Sequence, residues 1–317
     1  MTQEYKPVQQ VIITEDRAGQ RLDNFLFAQF RQLPKSRIYK MLRKGEVRIN
    51  GGRVKQAYRI QTGDRLRLPP VRIDSNAKTK RPIPDEALAS LEKHILFEDA
   101  DLLVLSKPAG LAVHAGSGVR YGVIEILRKL RSNDPYLELV HRLDRGTSGL
   151  LLVARNRKAL TGLHELLRDG QVNKVYLALA AGKWKGGTQR MESTLRREGD
   201  KGKIRRTQQK TGGKPAVSEF DPLRIYPNAT LLKVRIYTGR THQIRVQAAD
   251  AGFPLLGDTT YGDFPANRAW RKKGLKRLFL HAAELSFQWP ISGKKMHFEA
   301  PLSGELQWVV DKLNELR

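Results

Sequence analysis

Apolar residues in this 317-residue chain come in short runs broken by turn residues, and that pattern constrains the fold more than any other feature. Runs at 102–105, 137–140, 149–154, 175–181, 218–225 and 231–237 have strand length, and none approaches the ~20 residues a membrane-spanning helix needs. Helical spacing appears at 123–130, at 158–167 with Asn156 placed as cap and Gly170 as stop, and at 241–251 ahead of Gly252. Strands outnumber helices and neighbouring ones are spaced as hairpins. An α+β fold is expected, with a mixed, mainly antiparallel sheet and flanking helices. There is no internal repeat, and residues 1–6 show no apolar signal region.

Charge narrows the function. Lys and Arg number 58 against 32 Asp and Glu, a formal net charge of +26. A magnitude of ~2–8 is enough to keep a small domain soluble, so the excess points to a polyanionic partner. Nucleic acid is the expected partner rather than a membrane, because no basic amphipathic helix with an aromatic face stands out. The chain has no cysteine, which removes thiol nucleophiles, disulfides, iron–sulfur clusters and Cys-ligated zinc, and fits a reducing, cytoplasmic setting. No His-Glu-x-x-His, Walker A or G-x-G-x-x-G pattern occurs, so neither a cofactor nor a metal is expected.

Residues 20–75 read as a small basic α+β module. Leu22, Phe25, Leu26 and Phe30 make one helical stripe. After Pro34, with Ser36 as a candidate cap, Ile38, Met41 and Leu42 make the buried side of a second helix that Gly45 would end. Lys35, Arg37, Lys40, Arg43 and Lys44 crowd this helix. The alternating run 46–49 then meets Asn50-Gly51, a strong hairpin signal, with further short strands expected at 58–60 and 65–68. Thirteen basic residues face three acidic ones between 20 and 70, a density suited to phosphates. The run Lys35-Ser36-Arg37…Leu42-Arg43-Lys44-Gly45-Glu46-Val47-Arg48-Ile49-Asn50-Gly51 resembles the S4 RNA-binding domain. The expected division is a tail (1–19), this module (20–75), a linker (76–90) and a larger domain (91–317). The polar, Gly-rich stretch 196–214 reads as an exposed loop.

Three places in the larger domain could carry chemistry. His141-Arg142-Leu143-Asp144-Arg145-Gly146-Thr147-Ser148-Gly149 lies between two apolar strands, where a sheet would present an acid at its rim. The same residues also fit a turn in which Asp144 caps amides and pairs with a neighbouring arginine. Ser148 is no nucleophile elbow, because position 150 is Leu rather than Gly. In Thr238-Gly239-Arg240-Thr241-His242-Gln243-Ile244-Arg245-Val246, a strand end leads into a helix start. That arrangement suits an anion, or simply leaves its arginines in solvent. Tyr176, in Lys174–Leu179, reads equally as a site tyrosine or a core one.

These blocks, with Lys107-Pro108-Ala109-Gly110 and Leu278-Phe279-Leu280-His281-Ala282, occur in the order found in the RluA-type pseudouridine synthases, which the chain resembles over nearly its whole length. Ser106 and Gln247 stand where Asn and His are usual. The resemblance implies isomerisation of uridine to pseudouridine in 23S ribosomal RNA by base flipping, without a small-molecule cofactor and by a monomer. It implies Asp144 as the catalytic group, Arg245 as its partner, Arg142 filling the space the flipped base leaves, and Tyr176 and Leu280 around that base. Lys35, Arg37, Lys40, Arg43 and Lys44 would hold RNA. The contrasting reading is a non-catalytic RNA-binding or ribosome-assembly protein on the same fold.

Overall fold

The computed structural model describes residues 3–30, 33–74, 82–116, 118–198, 206–209 and 212–315. It divides into two compact units, Met1–Pro82 and Ile83–Arg317.

The first unit contains β1 (Gln3–Lys6), β2 (Gln9–Ile12), α1 (Leu22–Gln29), α2 (Lys35–Lys44), β3 (Arg48–Ile49), β4 (Arg65–Leu68) and β5 (Val71–Asp74). β2, β4 and β3 form one antiparallel sheet in that order, and β1 pairs with β5. Leu22, Leu26, Ile38, Met41, Ile60 and Leu66 fill the core. Gly45 ends α2 with φ +67°, a conformation that favours glycine. Lys35, Arg37, Lys40, Arg43 and Lys44 are all exposed along α2.

Three details differ from the sequence pattern. Residues 9–13 are not tail: β2 pairs Gln9 with Leu68 and Ile12 with Arg65, and Ile13 is buried in the core. Pro34, not Ser36, caps α2, with no side-chain hydrogen bond to the helix start. Residues 58–60 are extended but join no strand. Their backbone partners lie before and at the start of α1, where Gly19 N–H donates to Ile60 O and Leu22 N–H to Tyr58 O. The Asn50-Gly51 turn forms with both residues at positive φ. It closes on Gly52 alone, and the Asn50 side chain ties the turn to Asp64 and the Arg65 N–H.

In the second unit, α3 (Asp85–Glu92) starts inside the stretch expected as linker, because Leu91 is buried in the core; residues 75–81 lie outside the described residues. The chain continues through β6 (Ile95–Glu98), β7 (Leu102–Lys107), α4 (Val123–Leu130), β8 (Glu138–Leu139), β9 (Ser148–Ala154), α5 (Arg157–Arg168), β10 (Asn173–Ala181), β11 (Gln189–Glu198), β12 (Arg206–Gln209), β13 (Lys214–Ile225), β14 (Ala229–Ile236), α6 (Gln243–Asp250), α7 (Phe264–Lys272), β15 (Leu280–Gln288), β16 (Lys295–Glu299) and α8 (Gly304–Glu315). β11 and β12 pair antiparallel across the stretch expected as a loop, of which 199–205 and 210–211 lie outside the described residues.

Among the described residues, eleven strands form one sheet with the path β12-β11-β13-β14-β10-β15-β9-β7-β6; β16 joins β15 and β8 joins β9. All pairings are antiparallel except β15 with β9. The α+β class and the mixed, mainly antiparallel sheet follow the sequence pattern. At the parallel seam Gly149 pairs with Ala282, and a Cβ on Gly149 would lie 2.1 Å from the Ala282 carbonyl oxygen. Only glycine allows the two backbones to approach so closely. All seven residues of β9 are buried, so the turn ahead of it is anchored in the core.

Candidate active site

The site is built where β9, β10, β14 and β15 meet the loop into α6. Asp144 stands four residues ahead of β9, in a turn closed by Thr147 N–H donating to the Asp144 carbonyl. A second segment clamps this turn. Gly110 N–H donates to the Arg145 carbonyl at 2.7 Å, and Arg145 Nε donates to the Gly110 carbonyl at 2.8 Å. Beneath them Lys107, fully buried, donates from Nζ to the carbonyls of Pro108 and Leu111, with a longer contact to that of Arg145. Burial draws its ammonium down to about 7, against the pull of the Asp144 charge.

Asp144 therefore does not pair with its sequence neighbours. Its Oδ2 lies 3.4 Å from Arg245 NH1 and 3.6 Å from His242 Nε2, both supplied by the start of α6. Arg245 is mostly buried, and its Nε and NH2 donate to the two carboxylate oxygens of Asp258 at 2.7 and 2.8 Å. Its guanidinium also lies 5.1 Å from the centre of the Tyr261 ring. Burial opposes the Arg245 charge, but Asp258 and then Asp144 outweigh it and raise its pKa further. His242 has positive φ, +57°, and its Nδ1 lies 2.8 Å from the Tyr261 hydroxyl.

β10 and β15 supply the apolar wall. Tyr176 pairs with Val234 and Ala282, and Ala178 pairs with Leu280, so Tyr176 and Leu280 share a face as diagonal neighbours. Between Val175 and Tyr176 the register shifts and Ala283 is left over, a bulge beside the site. Burial, and then the Asp144 charge, push the Tyr176 hydroxyl well above its ordinary range, so it is a neutral phenol near pH 7. Arg142, Asp144, Tyr176, His242, Arg245 and Leu280 line one open cleft. Arg142 is exposed at this cleft, whereas Leu278 packs against Gly146 outside its lining. A carboxylate held by a buried guanidinium, facing an aromatic and an aliphatic wall, suits a flat, apolar-faced group that reacts with an anionic oxygen.

Comparison with known proteins decides the class. Residues 101–250 match the family model for RNA pseudouridylate synthase, and residues 20–66 match the S4 domain. The ribosomal large subunit pseudouridine synthase C of Haemophilus influenzae is 46% identical over 310 residues, covering 97% of this chain and 96% of that protein. The protein of the same name from Escherichia coli K12 is 45% identical over 319 residues, the full length of both chains. The chain belongs to the RNA pseudouridylate synthase family. It is an RNA pseudouridine synthase with an S4 domain, not a non-catalytic platform. The solved human RNA pseudouridylate synthase domain containing 4 has the same fold, with a TM-score of 0.61 at 24% identity over 73% of this chain and 96% of that one.

The cleft of this pseudouridine synthase gathers Asp144, Arg245, Tyr176, Leu280 and Arg142 from segments far apart in sequence. Gln247 stays outside it: its Nε2 donates to Met191 O, Ser193 Oγ and Ala216 O. Asp258 and Tyr261 carry no motif that sequence reasoning singled out. Their one signal is an acid at the end of the apolar run Pro254-Leu255-Leu256-Gly257, a place where a buried carboxylate needs a cation.

Proposed function

We propose that this synthase converts uridines of large-subunit ribosomal RNA to pseudouridine, with Asp144 as the catalytic carboxylate. The single observation that carries the assignment is the placing of the Asp144 carboxylate in the cleft, 3.4 Å from Arg245 NH1 and opposite the wall of Tyr176 and Leu280. The RNA class rests on relatives named for the ribosomal large subunit that match over the whole length. An enzyme with that substrate works in the cytoplasm, where ribosomes are made.

The reaction breaks N1–C1′, turns the base and joins C5 to C1′. C5 loses a proton and N1 gains one, so atoms and electrons balance without an outside reductant. Attack of Asp144 on C1′, attack on C6 and passage through a glycal all start from Asp144 as a carboxylate, and Arg245 supplies its counter-charge. A uridine stacked in RNA must first be flipped out, at ~a few kcal/mol. Arg142 fills the vacated space, and Tyr176 and Leu280 hold the base. As a neutral phenol, Tyr176 serves as a stacking surface and hydrogen-bond donor, and taking the C5 proton would require it to pass a proton onward first. The exposed cations of α2 (Lys35, Arg37, Lys40, Arg43 and Lys44) hold phosphates and position the substrate.

Incubation with 23S RNA labelled with tritium at uridine C5 tests this. Wild type releases tritium, and Asp144→Asn does not while still binding the RNA. Release by Asp144→Asn at the wild-type rate would remove Asp144 from the chemistry.

A further inference from the structure

Residues 264–283 hold six lysines and arginines and no acid. One of the six is structural: Arg277 donates to Ser148 Oγ and Ser303 Oγ and pairs with Glu305 at 3.2 Å. The other five are exposed. Arg268, Arg271 and Lys272 stand at i, i+3 and i+4 on the outer face of α7, away from the buried Trp270. Lys273 lies over the Trp270 ring at 5.2 Å, and Lys276 follows in the turn that leaves the helix. Among the described residues, Arg268, Arg271, Lys272 and Lys276 make no ion pair and no side-chain hydrogen bond. The nearby acids are already used: Asp263 caps α7 by accepting the Ala266 N–H, and Asp311 accepts from Gln307 Nε2. Cations in a last turn stabilise a helix end, which accounts for Arg271 and Lys272. It accounts neither for Arg268, which stands earlier, nor for Lys276, which lies beyond the helix.

Two further features suit this surface to a strand of RNA. The first is its place: the chain leaves the cleft for α7 and returns to it. Three residues before α7, Tyr261 lies against Arg245, and four residues after Lys276, Leu280 lines the cleft. Four residues span at most about 14 Å, so Lys276 is a short stretch of RNA away from a flipped base. The second is Trp308 of α8, a large ring that is 46% exposed. It is seated on Gly274, where φ is +96° and a Cβ would come within 2.2 Å of the indole Cζ3. Unpaired cations beside an exposed, seated aromatic ring form the pairing that holds single-stranded nucleic acid, phosphates on the charges and bases on the ring.

Resting on RNA as the substrate, we propose that α7, the turn after it and Trp308 form a second RNA-binding surface, carried by the catalytic unit itself. Arg268, Arg271, Lys272 and Lys276 take phosphates of the single-stranded RNA that flanks the flipped uridine, and Trp308 stacks on one of its bases. The surface gives the cleft its own grip on the target, separate from the cations of α2.

Filter binding of a 23S RNA fragment to the full chain, from about 50 to 200 mM salt, tests the charges. In Arg268→Gln/Lys272→Gln/Lys276→Gln the glutamines keep helix propensity, and the thermal midpoint should not move because the replaced side chains are exposed. Three lost phosphate contacts at ~0.7 each flatten the slope of log affinity against log salt by about 2, so wild type should lose roughly 20-fold more affinity than the variant across that range. A control, Lys93→Gln/Lys129→Gln/Lys158→Gln, removes the same charge from exposed positions on other helices and should keep the wild-type slope. A wild-type slope in the first variant, or equal flattening in the control, would overturn the proposal. The second measurement needs no variant. RNA carrying 4-thiouridine, irradiated on the wild-type protein, should cross-link to the peptide that holds Trp308, identified by mass spectrometry. Cross-links confined to other peptides would refute the stacking role. Tritium release by wild type from the same RNA reports on the substrate separately: its absence, with the slope change and the cross-link intact, would refute large-subunit RNA as the substrate and leave the surface standing.

Discussion

Ser148 Oγ lies 2.9 Å from His281 Nδ1, both buried where β9 and β15 run parallel. The far nitrogen of the ring, Nε2, faces the Ala300 carbonyl at 2.9 Å, so it carries the hydrogen and the serine hydroxyl donates to Nδ1. Arg277 NH2 donates to the same Ser148 oxygen. The set looks like a serine–histidine dyad but is a strut: both residues are buried outside the lining of the Asp144 cleft, and the imidazole is held neutral. Burial is the main cause of the lowered His281 pKa, and Arg277 adds to it.

His141 is in the same condition. Leu152 N–H donates to its Nε2, and burial, followed by the charge of Lys174, draws its pKa from 6.5 to about 4. Both histidines titrate lower in the fold than in the unfolded chain. Below pH 6.5 the unfolded chain therefore binds more protons, and stability falls as pH falls from 6.5 toward 4. The His141 shift alone is worth about 3 kcal/mol across that window, and His281 adds in the same direction. Urea unfolding at pH 8, 6.5, 5 and 4 should show this loss. His141→Gln, whose side-chain oxygen can accept the Leu152 N–H, should remove most of its share. A pH-independent unfolding free energy would contradict the assignment of two neutral imidazoles, one buried and one half-buried.

Tyr176→Phe separates stacking from hydroxyl chemistry. The ring is buried and paired between Val234 and Ala282, so Phe should keep the wall intact and the protein as stable as wild type. RNA affinity should be unchanged. Turnover should fall by about 100-fold or more if the hydroxyl takes part in moving the C5 proton, as measured by tritium release in single turnover. Unchanged turnover would leave Tyr176 as a stacking surface only.

Much of this fold is legible in the sequence because its signals are local. The helix expected at 123–130 is α4 residue for residue, and Asn156 caps α5 by accepting the Ala159 N–H. What stays hidden is pairing at a distance. Residues 9–12 look like a tail until Leu66 and Leu68 are found opposite them. The site shows the same limit. Asp144, Tyr176, Arg245 and Leu280 stand out through family blocks, but spacing alone favours a turn that Asp144 itself caps. Its actual partner lies 101 residues away on α6. Asp258 escapes notice because a single acid after Leu255-Leu256-Gly257 has no period, and only the buried guanidinium across from it gives that acid a purpose.

The basic face of α2 should act through phosphates alone. Lys40 and Lys44 are exposed, lie one turn apart and sit opposite the buried Ile38, Met41 and Leu42, so replacing them should leave the core of the first unit untouched. Each phosphate contact to single-stranded RNA contributes ~0.7 to the slope of log affinity against log salt. Lys40→Ala/Lys44→Ala should therefore flatten that slope by about 1.4 if both lysines hold phosphates. The thermal midpoint should not move. Tritium release at saturating RNA should match wild type, because the cleft and its Asp144–Arg245 pair belong to the other unit. Filter binding of a 23S RNA fragment from about 50 to 200 mM salt makes the comparison over the range where such contacts dominate. A slope equal to wild type would move the RNA contact off α2. A drop in turnover at saturation would mean that these lysines also orient the uridine at the cleft.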